Sequence, residues 1–290
     1  MTSQLRERVR TSYLLGPLLM IAAMLCFVLL DAVLKHLVAK HDGLFLSWGR
    51  CLIQVLLVAG LAPLLGGTRV LATGRPWLQL GRGVCLAVTS VVMTIASRTL
   101  PLTEIYVIAF AAPLIATIIA AVALGEKVTP LQWLLIVAGF AGVLVALGPA
   151  APSAGLILIL PLIQAMGNGV YHVLTRVGAR TEGPFAQLFH VAVFATLLLT
   201  LSLPWTWELM SAADWGLLVG GSALVTLGHF LLIKAFTMAP TARVSPMVYF
   251  QIVWATLIGY LAFGDVPSLA TLAGAAIIIT SGILLIRSRA

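Results

Sequence analysis

Ten separate runs of about 20 mainly apolar residues leave this chain few ways to fold. They lie close to 14–34, 44–66, 78–98, 103–123, 131–148, 155–175, 184–204, 214–234, 243–262 and 268–286. A helix needs roughly 20 such residues to cross a hydrocarbon core about 30 Å thick. With 61% of its 290 residues hydrophobic and 9% charged, the chain has too few polar side chains to cover a soluble core. The runs are continuously apolar, whereas strands of a membrane barrel alternate in polarity over about ten residues. The expectation is an all-α integral membrane protein of ten transmembrane helices. The linkers, such as "GGTRVLATGRP", "GEKVTP" and "RTEGP", are short and hold Gly, Pro or charge, with no room for an extramembrane domain.

The basic start "RERVR" before an apolar run also fits a cleavable signal peptide, but the run is long and has a counterpart in mid-chain, so it is kept as the first span. Placing the N-terminus in the cytoplasm puts Arg6, Arg8, Arg10, Arg69, Arg75, Arg82, Lys127, Arg176, Arg180, Lys234, Arg243, Arg287 and Arg289 inside or at inner helix ends. Lys35, Lys40, Arg50 and Arg98 fall outside. Positive charge favours the cytoplasmic side, so both termini are expected there, in a bacterial inner membrane. The net charge of +8 then reflects topology and anionic lipid rather than nucleic-acid binding. Trp205, Trp207 and Trp215 fall where spans seven and eight meet the outer interface, as in an aromatic belt. Cys26, Cys51 and Cys85 are odd in number and lack CxxC spacing, which argues against a disulfide framework or a metal site. No HExxH, GxSxG, Walker or GxGxxG signature occurs, so neither an enzyme nor a cofactor is indicated.

An offset of 139 residues lays "LPLTEIYVIAFAAPLIAT" over "APTARVSPMVYFQIVWAT". Pro101 falls on Pro240, Ala116 on Ala255 and Thr117 on Thr256. The same offset pairs Gly16 with Gly155, Ala96 with Ala235, and "GE" at Gly125 and Glu126 with "GD" at Gly264 and Asp265. The chain therefore reads as a duplicated five-helix unit, residues 1–150 and 151–290. Five is odd, so the second copy enters the membrane from the opposite side, giving two inverted five-helix repeats of the kind that carriers use for alternating access.

The two halves, the segments "SRTLPLTEIYVIAFAAPLIATIIAAVALGEKVTP" and "KAFTMAPTARVSPMVYFQIVWATLIGYLAFGDVPS", and the glycine-rich closing helices "LLIVAGFAGVLVAL" and "LAGAAIIITSGILLI" resemble the drug/metabolite transporter superfamily, in particular its EamA-type ten-helix exporters. Within that group the chain is most similar to YddG-type amino-acid exporters. The family's mid-helix proline is matched by Pro113, while the corresponding position of the second half holds Ile252. The resemblance implies a central cavity lined by helices of both halves, with spans five and ten outside it.

Helical spacing gives candidate lining residues independently. Positions i, i+4, i+7 and i+11 share a face, and in span four these are Tyr106, Phe110, Pro113 and Thr117. The offset carries them onto Ser245, Tyr249, Ile252 and Thr256. Gln164, Asn168, Tyr171 and His172 fall together in span six, Ser222, Thr226 and His229 in span eight, and Ser90, Thr94 and Ser97 in span three. The candidate site is Ser90, Thr94, Tyr106, Phe110, Gln164, Asn168, Tyr171, His172, Thr226, His229, Ser245 and Tyr249. Ser and Thr in membrane helices also bond their own backbone or a neighbouring helix, and the aromatics also serve as packing. Gln, Asn and His are costly against lipid and face a cavity or a partner.

Glu104 and Arg243 read as terminal charges, Glu104 alternatively as a vestibule residue. Asp31 reads as an i, i+4 partner of Lys35, and Glu126 and Asp265 as turn and capping residues. Every Lys and Arg falls near a predicted interface, which disfavours a strongly anionic cargo. With no unpaired, deeply placed acid, downhill facilitated transport fits as well as coupling to a histidine proton. The sequence thus points to an exporter of a small amphiphilic metabolite, neutral or aromatic amino acids first. A drug, nucleobase or other metabolite is the alternative cargo, and a membrane enzyme or channel the alternative class.

Overall fold

The computed structural model describes residues 3–65, 67–112, 114–115, 118, 129–147, 155–178, 181–238 and 245–287, and within these stretches the side chains of residues 3–14, 65, 147, 155, 158, 172, 176, 233, 236, 237, 245, 246 and 285–287 lie outside the description. The described regular structure is helical. Besides a four-residue helix at Leu203–Thr206 and short 3-10 turns, its described helices are α1 (Ser3–Val38), α2 (Gly43–Leu61), α3 (Pro76–Ser97), α4 (Leu102–Ala109), α5 (Pro130–Leu147), α6 (Ile159–Gly178), α7 (Pro184–Thr200), α8 (Ala212–Met238), α9 (Phe250–Phe263) and α10 (Leu269–Arg287).

Local chemistry accounts for the boundaries. Pro76, Pro130 and Pro184 open α3, α5 and α7, where a missing N–H costs nothing. The Asp42 carboxylate caps α2 by accepting from Leu44 N–H (2.8 Å) and Phe45 N–H (3.2 Å). Gly264, at φ +70°, ends α9 in a left-handed turn closed by Asp265 N–H to Gly259 O (3.1 Å) and Gly264 N–H to Tyr260 O (3.0 Å).

Four described helical segments are long and apolar enough to cross a bilayer: Leu15–Val38, Gly43–Leu64, Pro76–Ser97 and Ala212–Leu232. Pro130–Ala146, Pro184–Thr200, Met247–Phe263 and Leu269–Leu284 are apolar but shorter. Large apolar side chains such as Leu144, Leu197, Val219 and Leu261 face outward, a surface suited to lipid.

Helix packing links the two halves throughout. α1 lies on α8 and α3 on α6; α2 lies on α7, α4 on α9 and α5 on α10. α3 also meets α7 as α2 meets α8, and α1 meets α9 as α4 meets α6. Small residues allow the closest approaches. A Cβ on Gly274 would lie 2.5 Å from Ala146 N and Gly142 O, so α5 and α10 touch backbone to backbone. Ile136 and Ile278 are buried on these two helices.

Candidate functional site

α4 and α9 pack together, and each changes its helical geometry part-way along. In α4 the regular helix stops at Ala109, and Phe110 and Ala111 form a turn with Ala111 N–H bonded to Ile108 O (3.0 Å). A proline at 113 has no N–H for the Ala109 carbonyl, which is where a helix carrying it must give. Pro113 itself lies outside the described residues, as do Thr117, Glu126 and Arg243. In the second half a tight 3-10 turn, Ser245–Tyr249, passes into α9 at Phe250. Phe110 and Tyr249 correspond at the 139-residue offset, and their rings meet edge-on with centroids 5.3 Å apart. Tyr106 stacks on Phe110 at 6.3 Å. At 1.5 Å per residue Phe110 lies about 12 Å from the start of α4, near the middle of a bilayer core.

Polar groups surround this aromatic cluster. The Tyr249 hydroxyl is buried without a hydrogen-bond partner, as is Gln164 Oε1, whose Nε2 donates to Met93 Sδ at 3.5 Å. Asn168 is half-buried one turn further along α6. The Tyr106 hydroxyl donates to the Asp31 carboxylate of α1 and is also hydrogen-bonded to Gln251.

Other candidates are engaged elsewhere. The Thr94 and Thr226 hydroxyls donate to Ser90 O and Ser222 O of their own helices, both at 2.8 Å. His229 has Nδ1 2.9 Å from Val225 O and its ring against Phe27, at the α1–α8 contact. Ser90 accepts from Arg50 Nε (3.1 Å). Tyr171 accepts from Arg82 Nη2 (3.1 Å) and lies under that guanidinium, 5.0 Å from the ring centre. The backbone of Ser245 and His172 is helical, and their side chains lie outside the described residues.

Two expectations are corrected. Asp31 does not pair with Lys35, because α1 turns them toward different neighbours: Asp31 meets Tyr106, while Lys35 forms an ion pair with Asp265, 230 residues away, and lies 4.6 Å from the centre of the Phe263 ring. Asp265 is thus a tertiary partner as well as a turn residue. Nor do all cations lie at interfaces. Arg50 and Arg82 are 5% and 2% exposed, seven and six residues inside α2 and α3, or roughly 10 Å from the helix ends. Arg82 is held by neutral acceptors on every side: Thr175 Oγ1 (3.1 Å), Gln79 Oε1 (2.6 Å), Gln187 O (3.5 Å) and Tyr171.

Two polar clusters tie the halves together at opposite ends. Between α1 and α2, Lys40 and His41 meet Asp214 of α8 at 3.6 and 3.2 Å, and the Asp42 N–H donates to Glu208 (2.8 Å). His41 Nδ1 approaches Glu208 at 3.3 Å without hydrogen-bond geometry. Beside this cluster Phe45 packs against Trp48, Trp207 and Trp215, while Trp205 is exposed. At the other end Glu182, between α6 and α7, accepts from Thr73, Gln79 and the Arg75 N–H (2.9 Å). Burial alone would raise the Glu182 carboxyl, but these donors outweigh it and hold it below the usual glutamate range. Asp214 and Arg75 correspond at the 139-residue offset.

The sequence profile of the EamA-like transporter family matches twice, over residues 14–148 and 154–287. The chain belongs to that family. It is a membrane transporter of the drug/metabolite transporter superfamily, not an enzyme. It is 27% identical over 224 residues to an S-adenosylmethionine uptake transporter of Rickettsia bellii, covering 77% of this chain and 76% of the other. A riboflavin transporter of Rhizobium johnstonii is 25% identical over 285 residues, 94% and 91% of the two chains. A pseudopaline exporter of Pseudomonas aeruginosa is 26% identical over 277 residues, 94% and 96% of the two. A solved crystal structure superposes with a TM-score of 0.66 over 94% of this chain and 98% of the other at 20% identity, a likeness of fold.

Buried Arg50 and Arg82 and half-buried Asp31 were missed as interior groups by sequence reasoning. The available signal was their distance, several residues, from the polar ends of their runs.

Proposed function

We propose that this EamA-family member is a secondary transporter that moves a small amphiphilic metabolite, large neutral or aromatic amino acids first, out of the cell by alternating access. Ten helices cross the inner membrane as two inverted five-helix repeats, with both termini cytoplasmic. The two profile matches and the packing of the halves, in which α1 on α8, α3 on α7 and α1 on α9 have the counterparts α6 on α3, α8 on α2 and α6 on α4, support the repeats.

The observation that carries the cargo reading is the meeting of Tyr106 and Phe110 with Tyr249 at matched interruptions of α4 and α9. Aromatic surface beside the unpartnered Gln164 carbonyl suits a ligand with an apolar tail and a polar head, whereas the Tyr249 hydroxyl is packed against Gly282 of α10. Names of relatives agree with such a cargo in part: S-adenosylmethionine carries an amino-acid head group, and riboflavin a flat aromatic ring. The end clusters at Lys40–Asp214 and at Glu182 are suited to act as outer and inner gates.

Purified protein in proteoliposomes, offered radiolabelled amino acids, sugar phosphates and riboflavin, tests the reading. Saturable movement of phenylalanine, tyrosine, tryptophan or leucine, with little movement of aspartate, glutamate or phosphate esters, is expected. Robust phosphate-ester transport with no response to neutral amino acids contradicts the cargo and leaves the fold untouched.

A further inference from the structure

Arg50 and Arg82 are both buried arginines in a membrane protein, but their surroundings differ. Arg82 has acceptors on Nε, Nη1 and Nη2 and an aromatic ring under its plane, so its donors are taken up within the protein. Arg50 donates Nε to Ser90 Oγ (3.1 Å), and its guanidinium is also hydrogen-bonded to the Cys51 thiol. Both partners are neutral, and no carboxylate lies within 4 Å of it among the described residues. A guanidinium 5% exposed, with no carboxylate in ion-pair contact, is costly unless something supplies an acceptor with the opposite charge.

The surrounding chemistry specifies what that something is. Arg50 lies seven residues inside α2, Asp31 seven residues inside the far end of α1, and Ser90 seven residues inside the far end of α3. All three are thus about 10 Å deep, level with the stretch of α4 between Tyr106 and Phe110. Asp31 and Arg50 form no ion pair, and Tyr106 orients the Asp31 carboxylate by its hydroxyl. An amino-acid head group presents an ammonium and a carboxylate about 3 Å apart. With charge-assisted hydrogen bonds of roughly 2.8 Å on either side, it bridges an acid and a guanidinium that do not touch.

Resting on the amino-acid reading above, we infer that Arg50 and Asp31 form the head-group subsite, Arg50 holding the substrate carboxylate by its Nη donors and Asp31 the ammonium, while Ser90 and Tyr106 fix the two partners. The side chain of the substrate then points toward Phe110 and Tyr249. This assigns specificity to two charged residues and predicts that both charges of the cargo are read.

The test is competition against radiolabelled L-phenylalanine in proteoliposomes, using phenylalanine methyl ester, which lacks the carboxylate, and 3-phenylpropionate, which lacks the ammonium. Wild-type protein should bind each analogue at least about tenfold more weakly than phenylalanine, the scale of losing a charge-assisted hydrogen bond. Arg50→Gln should weaken phenylalanine by a similar factor and leave the ester unchanged, so that the two become equivalent. Arg50→Lys, which keeps the charge, should retain a preference for phenylalanine over the ester and covers the case in which the glutamine variant does not fold. Asp31→Asn should abolish the preference over 3-phenylpropionate alone. Phenylalanine transport in which both Arg50 variants discriminate as wild type does would overturn the assignment but not the cargo; wild-type protein that ignores phenylalanine refutes both.

Discussion

Replacing Glu182 by alanine should open the inner end of the protein. In the structure this carboxylate gathers donors from Thr73, Gln79 and the Arg75 backbone, joining the α6–α7 loop to the start of α3. A hydrogen bond to a charged group contributes about 1.5–3 kcal/mol when buried. Glu182 sits at a partly exposed loop, where water replaces much of that, so about 2 kcal/mol for the whole cluster is a fair estimate. If only the inward-closed state contains these bonds, their loss moves the closed–open ratio by roughly thirtyfold. Spin labels at Arg69→Cys and Thr181→Cys, in a background without Cys26, Cys51 and Cys85, report the separation across the cluster by electron–electron distance measurement. The variant should gain a longer-distance population, and acidification should produce the same change in the otherwise unaltered protein. The sign follows from the depressed carboxyl: its contribution is complete above the usual glutamate range and is lost as pH falls through the lowered folded-state value. Distance distributions that coincide with and without Glu182 at neutral pH would refute the gating role.

Other consequences are as direct. Tyr249→Phe removes a buried, unpartnered hydroxyl packed against Gly282, so thermal stability and apparent affinity for phenylalanine should both hold; Tyr249→Ala should cost both, with about 3–5 kcal/mol of stability lost if the cavity does not collapse. Gly274→Ala should destabilise by about 1–3 kcal/mol in a detergent unfolding assay, because its methyl meets backbone of α5 at 2.5 Å. A reporter fused after Ala290 should read as cytoplasmic and one near Ser211 as external; opposite readings would break the inverted-repeat topology.

The helices were legible because apolar runs and prolines act locally. Pro76, Pro130 and Pro184 start helices where their chemistry requires, and the offset of 139 residues led from Phe110 to the ring it touches, Tyr249. What was illegible depends on rotation about helix axes. An i, i+4 rule offers Lys35 to Asp31, yet the fold brings Asp265 to Lys35 and Tyr106 to Asp31 across the interior. Counting residues from a run's end likewise placed Arg50 and Arg82 at the interfaces, whereas α2 and α3 bury both guanidinium groups roughly 10 Å in. Tyr171 was read as a surface for cargo because nothing local reveals that Arg82, 89 positions earlier, covers it.

Counterflow of L-phenylalanine tests the central claim most directly, since a carrier that exposes one site alternately to each side must exchange. Proteoliposomes preloaded with unlabelled phenylalanine should accumulate labelled phenylalanine transiently above equilibrium, with saturation, and should not do so when empty. Entry that is linear in concentration and indifferent to the preload, or no entry at all, would contradict an alternating-access amino-acid transporter.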